Sequence, residues 1–408
     1  MKRRDFLKGL ALASVAGLSY AGYRYWPESG FTNPCLSGIP DSILRHPLYQ
    51  QIWQGIDVSQ VWDCHVHIIG TGDSGAADAP WFSPKMDSIR HPILHVQKRF
   101  YMNGGCVAED AIDQSAIDRL VALNSEMPQG FKSMLYAFEW WHDEHGKAQP
   151  SHSIFHIPNS YAANIARRHP ALFEWVASIH PYRPDAIDAL KQAKAEGAKA
   201  IKWLPQAMNI DPLSAKCQRF YQTCADLSIP IISHTGRESA VPGGNQHFGN
   251  PLRLRPALDA GVKVALAHCA SDGQDIDIDE GENGTMRQSF DLFARLMDTS
   301  AYEQQLYGEI SALTLRNHEW AIKPLLERPD WHSRLLNGSD YPLPGIMPLM
   351  DAKSLYRQGL LDVEAVGFLQ AIKPYNPVLF DFALKRLLHS DGIYFDPAVF
   401  HTRPFFES

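Results

Sequence analysis

Short apolar runs rich in β-branched and aromatic residues alternate along this chain with segments whose apolar positions recur at three and four, the spacing of a helix with one buried face. The runs Val61–His67, Phe131–Phe138, Phe173–His180, Ala198–Leu204, Pro230–Thr235, Lys263–Cys269, Leu306–Leu313 and Leu335–Tyr341 read as strands. Helical patterns lie over Ala108–Glu126, Asn159–Arg168, Asp185–Glu196, Leu213–Leu227, Pro251–Ala260, Thr285–Asp298 and His318–Arg328, and Pro377–His389 follows the last strand. Eight such alternations predict an α/β fold of the TIM (β/α)8 barrel type rather than an open doubly wound sheet with a small extra domain. What favours the barrel is where the polar residues fall relative to the strands.

The longest interruptions, Ile68–Cys106, Trp140–Phe155, Ala270–Gly284 and Pro342–Tyr375, all follow predicted strands. The expectation is a distorted barrel with long βα-loop insertions walling in a pocket at its C-terminal face. Trp81, Phe82, Phe100, Tyr101, Trp140 and Trp141 in the first two insertions suit a partly apolar ligand, or simply pack the loops onto the barrel. Gly70–Gly75 lacks the spacing of a phosphate loop and reads as a flexible turn. The acidic run Asp272, Asp275, Asp277, Asp279, Glu280 and Glu282 lacks the spacing of an EF-hand and is expected to be a solvated loop. Trp140–His145 holds two histidines three apart, expected at a pocket rim.

Composition narrows the class of function. Of 408 residues 45% are hydrophobic and 20% charged, enough for a large core. A net charge of −7, with no basic run beyond the N-terminus, excludes a nucleic-acid surface and favours a small-molecule substrate. Six scattered cysteines without C-x-x-C indicate neither a zinc ribbon nor a dense disulfide framework. Cys64 and Cys269 adjoin candidate site histidines and read as small apolar strand residues facing away from them. Residues 1–25 stand apart: Lys2-Arg3-Arg4-Asp5-Phe6-Leu7-Lys8 precedes an apolar stretch from Gly9 to Leu18, too short for an ordinary membrane span. This resembles a twin-arginine export signal, with Ser19-Tyr20-Ala21 as a cleavage site, or an anchor if the leader is retained. The expectation is export to the periplasm through the twin-arginine machinery, with residues 26–408 as a single barrel domain.

At the C-terminal ends of the predicted strands stand His65 and His67, then His180, Lys202, His234, His268, Glu309 and Asp340. On a strand, residues i and i+2 share a face, so His65 and His67 can reach one ion. A parallel barrel brings the other ends to the same mouth, where His65, His67, His234 and Asp340 can hold a divalent metal with a position open for water. His180, before Pro181, reads as structural.

Four motifs in order, Asp63-Cys64-His65-Val66-His67, Ile231-Ile232-Ser233-His234-Thr235-Gly236, Ala265-Leu266-Ala267-His268-Cys269 and Asn337-Gly338-Ser339-Asp340-Tyr341-Pro342, resemble those of the amidohydrolase superfamily. The resemblance is to its amidohydrolase-related branch, which includes aminocarboxymuconate-semialdehyde decarboxylase-like enzymes and lactonases. It implies metal binding by His65, His67, His234 and Asp340, with Asp340 also handling the proton of an attacking water. His268 is implied as a second-metal ligand or as an acid/base that polarises substrate. Lys202 falls where two-metal relatives carry a bridging carboxylated lysine; in one-metal relatives it need only contact substrate, and a salt bridge to a loop carboxylate explains it as well. Glu309 and the pair Arg237-Glu238 are candidate substrate contacts, or a satisfied ion pair at the mouth. The cofactor implied is zinc, one ion in the simplest case and two if Lys202 bridges. The implied reaction is hydrolysis of an amide, cyclic amide, ester or lactone, with non-oxidative decarboxylation of an aromatic or muconate-type acid as the rival. A non-catalytic periplasmic metal- or ligand-binding barrel is the third reading, and a homo-oligomer is compatible with all of them.

Overall fold

The computed structural model describes residues 30–241 and 244–407, so the reading of residues 1–25 as an export signal lies outside the described residues. The eight predicted strands form in order as β1 (Trp62–His67), β2 (Lys132–Tyr136), β3 (Phe173–Val176), β4 (Ile201–Trp203), β5 (Ile231–His234), β6 (Val264–Ala267), β7 (Leu306–Glu309) and β8 (Leu335–Leu336). Nearly every residue in them is buried, as both-sided covering in a parallel barrel requires. Between and after them run α1 (Ile112–Ser125), α2 (Asn159–Arg168), α3 (Ala186–Ala195), α4 (Gln218–Asp226), α5 (Arg255–Asp259), α6 (Ser289–Met297), α7 (Ile322–Leu326) and α8 (Pro377–Leu387). The fold is therefore a (β/α)8 barrel.

All neighbouring strands pair in parallel, in the ladders β1-β2-β3 and β4-β5-β6-β7-β8. Single bridges, Ala177 with Ile201 and Tyr341 with Val66, connect the two ladders. This is the distortion anticipated from the long insertions. Inside the barrel, Trp62, Cys64, Met134, Tyr136, Val176, Ile232 and Leu336 pack as one cluster with Phe405 and Phe406 of the C-terminal helix Arg403–Glu407. A larger apolar layer lies between strands and helices and includes Cys269. Register shifts between Asp63 and Val66, a bulge of the kind found beside active sites.

Two expectations are corrected. Met286–Gln288 pairs antiparallel with Gln274–Ile276, so the predicted helix Thr285–Asp298 begins only at Ser289. The acidic run is not simply solvated. Asp277 is bound by Arg287 and Arg295, Asp279 by Arg255, and buried Asp275 accepts a hydrogen bond from Ser289 Oγ at 2.7 Å. The insertions also hold elements of their own, including the helices Pro92–Gly104 and Val363–Ile372. Trp81–Phe82 pairs with Phe155–His156 and ties the first insertion to the second.

Helix α8 starts at an Asn376 cap, whose Oδ1 accepts the N–H groups of Val378 and Leu379, with Pro377 in the first turn. Its buried Lys385 donates to Asp381 Oδ2 at 2.7 Å and to the carbonyl of Gly338 at 2.6 Å. A Cβ on Gly338 would lie 2.7 Å from both Glu309 Oε1 and the Cβ of His65, so glycine is required where the strand β8 exit presses on β1.

Lys385→Met should strand the Asp381 carboxylate in the core and lower stability at neutral pH by roughly 3–5 kcal/mol, read as the urea unfolding midpoint. Burial already pushes the Asp381 carboxyl up to about 7, with Lys385 offsetting part of the rise. Without Lys385 that offset is lost and the folded pKa rises further above the unfolded one, so the variant takes up its proton at a higher pH than wild type does, and the deficit should be largest above neutral pH and shrink as pH falls to 5.

Candidate active site

Seven of the residues read from sequence, His65, His67, Lys202, His234, Arg237, His268 and Asp340, line one cavity of about 370 Å³ at the C-terminal ends of the strands. His65 and His67 end β1, Lys202 lies in β4, His234 ends β5, His268 directly follows β6, and Asp340 lies in the exit segment beyond β8. The chain turns sharply at these exits. His268 (φ 60°), Cys269 (φ 50°), Ala270 (φ 50°), Ala312 (φ 54°) and Asp340 (φ 59°) all occupy the left-handed region, a concentration of strain that only a well-packed surround sustains.

At the floor, His65 Nε2 is 3.2 Å from His67 Nε2, and Asp340 Oδ1 lies 3.4 Å and 3.2 Å from them. Which ring nitrogens face inward follows from the groups behind. Ser311 Oγ donates to Glu309 Oε2 at 2.6 Å, which commits its proton. His65 Nδ1 must then be the donor to Glu309 Oε2 at 2.8 Å, and His268 Nδ1 the donor to Ser311, 2.9 Å from Oγ and 3.1 Å from the carbonyl. Both rings thus turn an Nε2 lone pair to the cavity.

Burial, chiefly, drives the histidines towards neutrality. It holds His65 and His234 well below the ordinary histidine range, with Lys202 adding to the effect at both, and brings His268 down to about 3 despite Asp340 nearby. Asp340 is also buried, but the imidazoles of His65, His67 and His268 outweigh that and keep its carboxyl well below the usual range. Lys202 Nζ, 3.3 Å from His65 Nε2 and 5.0 Å from the Tyr136 ring centroid, is lowered by burial to about 8, with Glu309 and Asp340 opposing.

Two imidazole nitrogens, that of His65 neutral, and an ionised carboxylate oxygen converge here beside the Lys202 ammonium. That set fits a divalent cation. His234 supplies a second sign: its buried Nε2 has no hydrogen-bond partner, and only Glu238 Oε2, 3.4 Å away, approaches it. Its ring lies 5.0 Å from that of His268, outside the tight His65, His67, Asp340 group. The grouping of His65, His268 and Glu309 is a different matter, since its nitrogens are already hydrogen-bonded to Glu309 and Ser311.

Glu309, expected to touch substrate, is fully buried behind His65 and takes no part in the cavity wall; its Oε1 accepts the Ser311 N–H at 2.5 Å. Arg237 is exposed on the cavity rim. His180 is structural, its Nε2 donating to the Met208 carbonyl at 2.9 Å while Nδ1 accepts from the Tyr182 N–H. His142 lies buried against His180 rather than in an exposed rim. Phe82, Phe100 and Tyr101 line the cavity, whereas Trp81, Trp140 and Trp141 pack against other rings.

Ser311 went unrecognised; it lies two residues beyond the end of β7, inside the run Leu306–Leu313 that reads as a strand, where i, i+2 alternation with Glu309 could have flagged it. Glu238 was seen only as part of an Arg-Glu pair. Its carboxylate caps the N–H groups of Ala240 and Val241, and burial raises it to about 7 against those hydrogen bonds. No sequence spacing announces a loop carboxylate folded back onto a strand-end histidine.

A family model described as amidohydrolase matches residues 62–345. No curated protein is matched. Among solved structures, the chain is similar to an uncharacterised TIM-barrel protein from Bordetella bronchiseptica, at 16% identity and TM-score 0.45, over 81% of this chain and 95% of that one. It is also similar to a candidate 2-pyrone-4,6-dicarboxylic acid hydrolase from Pseudomonas putida, at 16% identity and TM-score 0.42, over 80% and 98%. A third is 5-carboxyvanillate decarboxylase from Sphingomonas paucimobilis, at 10% identity and TM-score 0.41, over 77% and 97%.

Glu309→Gln should leave the fold intact but weaken metal binding roughly 10- to 100-fold in a chelator competition, because it loosens the orientation and lowers the basicity of His65. Unchanged affinity would remove Glu309 from the support of the site.

Proposed function

This chain belongs to the amidohydrolase family, whose members usually bind a divalent metal, and from that membership we propose that it is a zinc-dependent hydrolase of an apolar ester, lactone, amide or cyclic amide. The observation that carries the reading is Asp340: an ionised carboxylate whose Oδ1 lies within 3.4 Å of the Nε2 atoms of both His65 and His67 on the cavity floor. A divalent ion bound at His65, His67, Asp340 and His234 supplies Lewis acidity, polarising a carbonyl and bringing the pKa of a water towards ~7. Asp340 takes the proton of the attacking water and passes it to the leaving group. His268, with Nδ1–H committed to Ser311, offers a lone pair and so accepts rather than donates a proton. Donation to a developing oxyanion falls to the Nζ of Lys202. The aromatic wall from Phe82, Phe100, Phe138 and Phe155 excludes water and holds the apolar part of the substrate.

We also propose that the protein works outside the cytoplasm, delivered by its twin-arginine leader. What supports this is the disulfide between Cys35 and Cys106, a bond that persists in oxidising compartments.

Elemental analysis of the purified protein should give about one to two divalent ions per chain. His65→Ala combined with His67→Ala should lose both metal and turnover, and an active double variant would sink the site. Asp340→Asn should lower kcat by roughly 10²–10⁴-fold while keeping part of the metal. On a mixed panel of lactones, amides and aromatic acids, ring opening supports hydrolysis; release of carbon dioxide instead would reassign the enzyme as a decarboxylase.

A further inference from the structure

We propose that the surface formed by Ile89 and the helix Pro92–Gly104 docks on an anionic phospholipid bilayer, turning the mouth of the cavity towards the lipid. Ile89, Ile93 and Val96 are 84%, 74% and 49% exposed, an aliphatic cluster with no covering element among the described residues. Ile93, Val96 and Phe100 follow the i, i+3, i+7 spacing of one helix face, so the exposed stripe runs on to Phe100, which lines the cavity. Arg90 and Arg99 are exposed beside it, and neither guanidinium has an ion-pair partner among the described residues, whereas Lys98 is paired with Asp87. An apolar stripe flanked by free arginines is the pattern of an interfacial helix. In a chain of net charge −7 this basic patch runs against the overall sign.

The N-terminal segment is fastened to the same helix. Asn33 N–H donates to Asn103 Oδ1 at 2.7 Å, Asn103 Nδ2 donates to the Asn33 carbonyl at 3.3 Å, and Cys35 is disulfide-bonded to Cys106. The chain carrying the apolar run Gly9–Leu18 therefore joins the fold at the proposed docking face. From Leu18 to Asn33 it can span at most about 50 Å. A leader held in a membrane would keep this face, rather than the opposite end of the barrel, near the bilayer. A second copy fits the patch poorly, because a symmetric contact would bring Arg90 and Arg99 of both copies together.

The proposal is independent of the reaction proposed above. It is tested on the full chain by replacing Ile93 with a benzophenone photoprobe, mixing with vesicles of phosphatidylglycerol and phosphatidylcholine, and irradiating. The same probe at Ile393, 41% exposed on the hairpin after α8, is the control. Lipid adducts at 93 should exceed those at 393 at least fivefold and fall at least threefold in Arg90→Glu/Arg99→Glu. Equal yields at the two positions, a yield indifferent to the arginine changes, or crosslinks at 93 to a second copy would each overturn it.

Discussion

A carboxylate removed from water must be paired, and at Glu309 that requirement organises the barrel mouth. Glu309 sits at the end of β7 with no exposed surface and accepts from His65 Nδ1, Ser311 Oγ and the Ser311 N–H. Because these donors come from β1 and from the exit of β7, the pairing fixes how the two strand ends face each other. The same serine then fixes the tautomer of His268, so two imidazoles are aimed by one buried acid. The Gly338 backbone presses against both Glu309 and His65, and Lys385 of α8 holds the Gly338 carbonyl from behind. Support for the floor thus reaches from β1 through β7 and β8 to the last barrel helix.

Around that support the electrostatics are deliberately unfinished. The groups behind the rings of His65 and His268 are hydrogen-bonded, yet on the cavity side His65 Nε2, His67 Nε2 and Asp340 Oδ1 crowd within 3.4 Å of one another and the buried His234 Nε2 has no hydrogen bond. Interiors seldom leave such groups unmatched, because an unpaired buried polar atom costs about 1–3 kcal/mol. A divalent cation would engage these groups together, which a single rearranged hydrogen bond does not. Left-handed backbone at His268, Ala312 and Asp340 is a further cost borne at the same three strand exits.

The cavity above this floor owes its apolar character to the insertions. Phe82 and Phe155 reach it from a two-stranded pairing that joins the first and second insertions, and Phe100 and Tyr101 from the helix Pro92–Gly104. That helix is doubly committed, lining the cavity on one side and presenting Ile93, Val96 and Arg99 to the surroundings on the other, with Arg90 exposed in the turn before it. Its end is also where the disulfide fastens the N-terminal segment.

Strand order, barrel class and the convergence of His65, His67, Lys202, His234, His268 and Asp340 were legible in the sequence because each depends on local periodicity. Apolar runs mark strands, and a parallel barrel gathers all their C-terminal ends by topology alone. What periodicity cannot carry is the partner a side chain meets across the barrel. Glu309 reads as a mouth residue from its position at a strand end, yet its neighbour His65 lies 244 positions away and only folding turns the carboxylate behind that ring. The same holds for the arginines that clamp Asp277 and Asp279, for Glu238 folded back on His234, and for Met286–Gln288, which joins a strand where local pattern favours a helix. The sequence by itself determined which elements form and which chemistry converges at the barrel mouth, because those follow from neighbours along the chain. Tertiary structure alone decided the hydrogen-bond partners, and through them which nitrogen lone pairs remain free, because burial removes water as an alternative partner and leaves only groups brought from afar.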